Sequence, residues 1–178
     1  MTEQRERTST SLDIVGADPA ALAALRSTGV DHGGNPVVPF TDPDGGWPLR
    51  CCLTDSLPGD ELAVVAWSPF PWRGVFAEVG PIVVHADDCG GVQGSGVPPQ
   101  FLGRRQVLRP YGFDQRLDYD RLVVVDADGS LPDVLAELVS HRDVAFVLSR
   151  NLLAGCYSFT ARRSTASVPE GQPSSGRV

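Results

Sequence analysis

"RLVVVDADGSLPDVLAELVSHRDVAFVLSRN", residues 121–151, is the stretch whose reading decides the fold. Its two ends, "RLVVVDADG" and "VAFVLSRN", are short valine-rich runs that read as strands. Between them "LPDVLAELVSHR" sets Leu131, Val134, Leu135, Leu138 and Val139 at i, i+3, i+4, i+7 and i+8, the apolar stripe of a helix lying on a core. The "DADG" at 126–129 begins like a calcium loop but lacks the remaining ligands and the closing glutamate, so it reads as a turn with Gly129 in the strained position. Whether this helix is one of many alternating with strands, or a single cover on an antiparallel sheet, depends on the flanking sequence.

Toward the N-terminus the strands come without helices between them. "PLRCCLTD", the turn "SLPGDE", then "LAVVAWSPF", "VGPIVVHA" and "FLGRRQVLRPYGF" follow one another, and "GCYSFTAR" supplies a last strand after residue 151. The one other helix is "ADPAALAALRSTG", with Asp18 as its cap, Pro19 in its first turn and Gly29 at its stop. Residues 30–50 carry too much glycine and proline for regular structure, apart from a brief strand at 36–40. The expected fold class is α+β: a mostly antiparallel, curved β-sheet with one or two covering helices.

Residues 1–12 are charged and rich in serine and threonine, and residues 162–178 are rich in serine, proline and glycine. Both read as disordered tails around a single domain at 13–161. There is no internal repeat. A chain of 178 residues, 42% apolar, has enough sequence for one core. The net charge of −7 argues against nucleic acid and anionic membranes as partners. All 15 basic residues are arginine, which removes lysine Schiff-base chemistry and the phosphate-loop lysine. No apolar run approaches the ~20 residues of a membrane helix, and "MTEQRERTSTS" has no hydrophobic leader segment, so a cytoplasmic location is expected. The four cysteines, Cys51, Cys52, Cys89 and Cys156, are then expected as free thiols serving packing, metal binding or catalysis.

Four blocks, "PLRCCLTDSLPGDELAVVAWSPF", "EVGPIVVHADDC", "RRQVLRPYGFD" and "RNLLAGCYSFTARR", resemble in their order a bacterial family known only as domain of unknown function 1203. The resemblance covers roughly residues 12–162. It implies that the four blocks form one compact domain, and it implies no particular activity.

Candidate chemistry follows from strand alternation. In "LRCCLT", Leu49, Cys51 and Leu53 face one way and Arg50, Cys52 and Thr54 the other, so one of the adjacent cysteines at most joins a site. Cys52 is the candidate and Cys51 reads as core. Val79, Pro81, Val83 and His85 share a face of the next strand, whose Gly-Pro pair suggests a sheet edge. His85 and Cys89 then offer either a general base with a thiol or two ligands for a metal. Arg105, Val107, Arg109 and Tyr111 share one side of a later strand. Arg150 and Asn151 stand where a strand breaks, a good place to clamp an anion, although Arg150 could equally pair with an acid such as Glu78 while Asn151 fills a left-handed turn. Cys156 reads as core, and His32 and His141 as solvent-facing.

Three functions compete on this pattern. The first is an enzyme without organic cofactor, with His85, Cys52 and Glu78 catalytic and Arg50, Arg109, Tyr111, Arg150 and Asn151 binding a small anionic carbonyl metabolite, as in a biosynthetic step. The second is a zinc or iron site on His85, Cys89 and one further thiol. The third is a ligand- or partner-binding module, a homodimer included, built around Trp47, Trp67 and Trp72 near proline-rich turns. The enzymatic reading requires that Arg50, His85 and Arg150 converge on one hollow.

Overall fold

The computed structural model describes residues 11–164. Its elements, in chain order, are β1 (Leu12–Val15), α1 (Pro19–Thr28), β2 (Phe40–Thr41), β3 (Glu61–Trp67), β4 (Gly80–His85), a 3-10 turn (Pro99–Phe101), β5 (Gln106–Gly112), β6 (Val123–Val125), α2 (Leu131–Ser140), β7 (Val144–Asn151) and β8 (Tyr157–Arg163). The strands form two antiparallel sheets, one ordered β1-β8-β7-β5-β6 and the other β2-β3-β4. The α+β class therefore holds, with the strands divided between two sheets. β4 is an edge strand, as its Gly-Pro pair implied.

The stretch 121–151 folds as its periodicity demands. Leu131, Leu135, Leu138 and Val139 of α2 are buried, with Leu108 of β5, Val144 and Val147 of β7, and Phe159 and Ala161 of β8. This core fills one face of the five-stranded sheet. The opposite face carries Tyr111, Leu148 and Tyr157, which meet Leu62, Ala63, Val65 and Trp67 of β3, Ile82 and Val84 of β4, and Leu22 and Leu25 of α1. The large sheet is thus the middle layer, apolar on both sides.

Helix α1 forms as expected: the Asp18 carboxylate accepts from Ala21 N at 2.8 Å, Pro19 opens the helix, and Gly29 closes it with φ of 67°. Gly16, just before it, fits for steric reasons, since a Cβ there would stand 2.3 Å from the Arg50 carbonyl oxygen. That carbonyl accepts from Ala17 N at 2.7 Å.

Several expectations are corrected. Residues 49–54 are a turn, because Leu49 N donates to Thr54 O at 2.8 Å and Leu53 has φ of 58°. The brief strand at 36–40 is instead β2 at Phe40–Thr41, with an isolated bridge between Val30 and Pro36. β1 is an unforeseen strand, too short to show a period. Gly129 has no left-handed φ; it is there for room, since a Cβ would lie 3.0 Å from Val125 Cγ1. Asn151 does not fill a left-handed turn either: Gly155 supplies the φ of 68°. Cys156 is half-buried rather than core and precedes β8. β1 begins at Leu12 and β8 runs to Arg163, so order extends slightly beyond 13–161. The rest of the expected tails lies outside the described residues.

The 31–35 loop is tied to β3 through Asp31, whose carboxylate accepts from Gly33 N at 2.8 Å, Asn35 N at 2.9 Å and Ala66 N at 2.7 Å. Burial pushes its pKa upward, but the hydrogen bonds from Ala66, Asn35 and Gly33 together outweigh that and hold it below the usual aspartate range. A carboxylate with a depressed folded pKa contributes stability above its unfolded pKa, and that contribution is lost as pH falls through the folded value. The stability difference between the wild type and Asp31→Asn, read from urea melts at pH 6 and at pH 2.5, is expected to shrink at the lower pH. Leu135 is fully buried beneath α2, and Leu135→Ala is expected to cost about 2–5 kcal/mol of unfolding free energy in the same melts.

Candidate metal centre

The turn at 48–55 is held against β4 first by backbone links. Leu49 bridges Val83 in parallel, Arg50 N donates to Val83 O at 2.8 Å, and Pro48 bridges Asp55. Leu53 spends a left-handed φ to close the turn, and burial of its side chain in the α2 core offsets that cost. Because this segment turns, strand alternation no longer separates the two cysteines.

Both therefore reach His85 at the end of β4. Cys51 Sγ lies 3.5 Å from His85 Nδ1, Cys52 Sγ lies 3.9 Å from it, and the two sulfurs are 3.9 Å apart. Beyond β4, "ADDC" folds back with Asp88 accepting from Gly90 N at 3.1 Å, bringing Cys89 to the same place. One donor atom from each of Cys51, Cys52, His85 and Cys89 lies within 4.8 Å of all the others. Cys51 is buried and the other three are half-buried. The expectation that one adjacent cysteine at most could join the site is thereby corrected: Cys51 packs in the core and also faces His85.

The surroundings suit ionised sulfur. His85 N donates to Cys51 Sγ at 3.4 Å, and Cys52 Sγ lies 3.1 Å from Thr54 Oγ1. The hydrogen bond with Cys51 lowers the Cys52 thiol to about 5, with help from Thr54 and the nearby imidazole against burial. The same bond, and burial, push Cys51 upward, so one thiolate shares the other thiol's proton. His85 Nε2 lies 3.3 Å from Asp60 Oδ2, which also accepts from Leu57 N at 2.8 Å. Asp60 thus fixes the ring with Nδ1 toward the sulfurs. Arg26 of α1 holds the His85 carbonyl at 3.1 Å.

The other residues singled out from sequence lie in three further places. Glu78 is gripped at both oxygens, Oε1 by Arg109 at 2.6 Å and Oε2 by Arg150 at 2.9 Å, with the Tyr111 hydroxyl 3.4 Å from Oε1. The arginine clamp thus holds an internal carboxylate. Arg50 is buried with its guanidinium 5.5 Å from the Phe101 ring centroid and its Nε donating to Tyr157 O at 2.7 Å. Asn151 Oδ1 accepts from Leu153 N and Ala154 N, shaping the turn before β8. Arg50, His85 and Arg150 each have a separate set of partners. Cys51 and Asp60 were the residues that sequence reasoning missed: the first was masked by an assumed strand, the second by its place in the turn "SLPGDE".

Residues 46–163 match the family model described as "Protein of unknown function (DUF1203)". The chain belongs to that family. All four clustered residues, Asp60, and the Glu78 clamp fall inside the matched segment, whereas β1 and α1 lie before it. No curated protein and no solved structure matches the chain. Among the described residues no helix is long and apolar enough to cross a membrane.

If Asp60 orients His85 as a ligand, Asp60→Asn is expected to weaken zinc binding by about 10- to 100-fold in a competition titration against a chromogenic chelator, with little change in secondary structure by circular dichroism.

Proposed function

We propose that this protein is a metal-binding protein that holds a thiophilic divalent ion, zinc foremost, on Cys51, Cys52, His85 and Cys89. The observation that carries the reading is the spacing of the four donor atoms. Zinc–sulfur and zinc–nitrogen bonds of about 2.3 and 2.0–2.1 Å in a tetrahedron put ligand atoms roughly 3.5–3.8 Å apart. The separations of 3.5 and 3.9 Å among Cys51, Cys52 and His85 approach that edge length before any ion draws them in. Three thiols and one imidazole are a soft donor set, favouring zinc over magnesium or calcium.

Four protein ligands complete the shell, which favours a structural ion over a catalytic one. Such an ion would pin the 48–55 turn, the end of β4 and the loop at Cys89 to one another. The neutral imidazole would bind through Nδ1 while Nε2–H donates to Asp60.

A second reading, for a metal-free state, gives up the arginines and keeps only thiol and imidazole chemistry. Cys52, His85 and Asp60 stand in the order thiol, imidazole, carboxylate, with contacts of 3.9 and 3.3 Å, an arrangement suited to thiol or acid–base chemistry on a small carbonyl compound. Glu78, engaged by two arginines, takes no part in that arrangement.

Elemental analysis after purification without chelators separates the two readings. About one zinc per chain is expected, lost in Cys52→Ser and Cys89→Ser, with a thiolate-to-metal charge-transfer band on cobalt(II) substitution. Removing the metal with a chelator is expected to lower the thermal midpoint. Protein that takes up no zinc, iron or copper even on dialysis against the free ions would end the metal reading and leave the thiol–imidazole pair.

A further inference from the structure

We infer that Cys52 and Cys89 form a site of reversible oxidation, at which a small hydroperoxide joins the two sulfurs in a disulfide and thereby expels the bound ion. The expulsion rests on the metal reading. The disulfide does not, because it needs only the side chains themselves.

Three sulfurs crowd one place. Cys51, Cys52 and Cys89 are free thiols whose Sγ atoms lie within 4.8 Å of one another, so side-chain movements of under about 3 Å bring a pair to the S–S bonding distance of about 2.0 Å. Covalent geometry then narrows the choice of pair. Cys51 and Cys52 are neighbours in the chain, with Cα atoms about 3.8 Å apart, whereas unstrained disulfides span about 4.4–6.8 Å. Cys89 is therefore one partner. It follows β4 and lies outside any strand, so its side chain can turn without breaking a ladder.

Access selects the other partner. Cys51 is 2% exposed and packs in the core between the sheets, and its sulfur accepts from His85 N at 3.4 Å. Cys52 and Cys89 are half-buried, so an oxidant arriving from solvent meets these two. Cys52 Sγ also has Thr54 Oγ1 at 3.1 Å and His85 Nδ1 at 3.9 Å, polar groups beside the point from which the peroxide oxygen departs.

The chemistry closes in two steps. The Cys52 sulfur attacks the terminal oxygen of the hydroperoxide: an S–O bond forms, the O–O bond breaks, and the thiol proton ends on the departing oxygen, giving an alcohol, or water from hydrogen peroxide. The Cys89 sulfur then attacks the sulfenic sulfur: the S–S bond forms, the S–O bond breaks, and hydroxide leaves as water with the proton of Cys89. The two sulfurs together lose two electrons, which the hydroperoxide gains. In the zinc-bound form the thiolates carry no protons and both come from solvent. A disulfide no longer offers thiolate ligands, so the ion would keep only Cys51 and His85, half of a tetrahedral shell. Cys156 provides an internal control: it is half-buried too, but it lies outside the cluster, and its sulfur meets the Ala154 carbonyl at 3.7 Å.

The test treats the full chain, reduced and stripped of metal, with hydrogen peroxide, caps remaining thiols with iodoacetamide in denaturant, and maps tryptic peptides by mass spectrometry. Peptides 51–73 and 74–104, which end at Arg73 and Arg104, are expected to be joined, with the iodoacetamide label on Cys51 and Cys156. The crosslink is expected to form at least about tenfold faster than Cys156 is oxidised, to be unchanged in Cys156→Ser and to be reversed by dithiothreitol. Cys89→Ser is expected to stop at a sulfenic acid on Cys52, trapped by dimedone. Zinc-loaded protein is expected to release about one zinc per crosslink to a chromogenic chelator. Absence of the joined peptides, a label on Cys52 in place of Cys51, oxidation of Cys156 at the same rate, or zinc retained by the crosslinked chain would overturn the inference. Should Cys89→Ser not fold, the label positions in the wild type decide the matter. Joined peptides in a chain that elemental analysis shows to bind no metal end the metal reading alone and leave the oxidation site standing.

Discussion

The docking of the 48–55 turn onto the edge strand β4 is the contact on which the rest depends. Two backbone links, the bridge of Leu49 with Val83 and the bond from Arg50 N to Val83 O, fix it. Through them Leu49 and Cys51 enter the core between the sheets, while Leu53 reaches the core under α2. The same links place two thiols opposite an imidazole that β4 delivers at its last residue. Position and chemistry are thus set by one short segment. A turn that spends a left-handed leucine to do so is over-determined by its burial on both sides.

The buried charges follow a consistent logic. With no lysine in the chain, every buried cation is a guanidinium, whose planar fork and weak hydration tolerate burial better than an ammonium. Arg109 and Arg150 share one carboxylate, Glu78, and Arg50 uses an aromatic face and a carbonyl. These arrangements join elements distant in sequence: the loop before β4 to β5 and β7, and the docked turn to β8. Their first role is architectural, and this is why the arginines flagged from sequence do not gather around the thiols.

Two features adjoin one another across Cys51. That residue faces His85 and also lines the cavity between the sheets, and Gly90 and Gly91, just after Cys89, form part of the same wall. An ion on the four ligands would therefore anchor the segment that carries these glycines.

The local elements were legible in the sequence because local periodicity sets them: α2 from its i, i+3, i+4 stripe, α1 from Asp18, Pro19 and Gly29, β3 to β8 from alternation, and membership of the family from four ordered blocks. His85 at a strand end, with Cys89 just beyond it, and Cys52 were also recognisable as reactive types. The rest was decided by contacts between residues far apart in the chain. Division of the strands into two sheets, the turn that replaced a strand at 49–54, the capture of Glu78 by two arginines, and the meeting of Cys51 with His85 across 34 positions all arise this way. Spacing along a chain dictates which side of an element a residue occupies, whereas which elements then face each other is settled by burying both sides of the middle sheet at once.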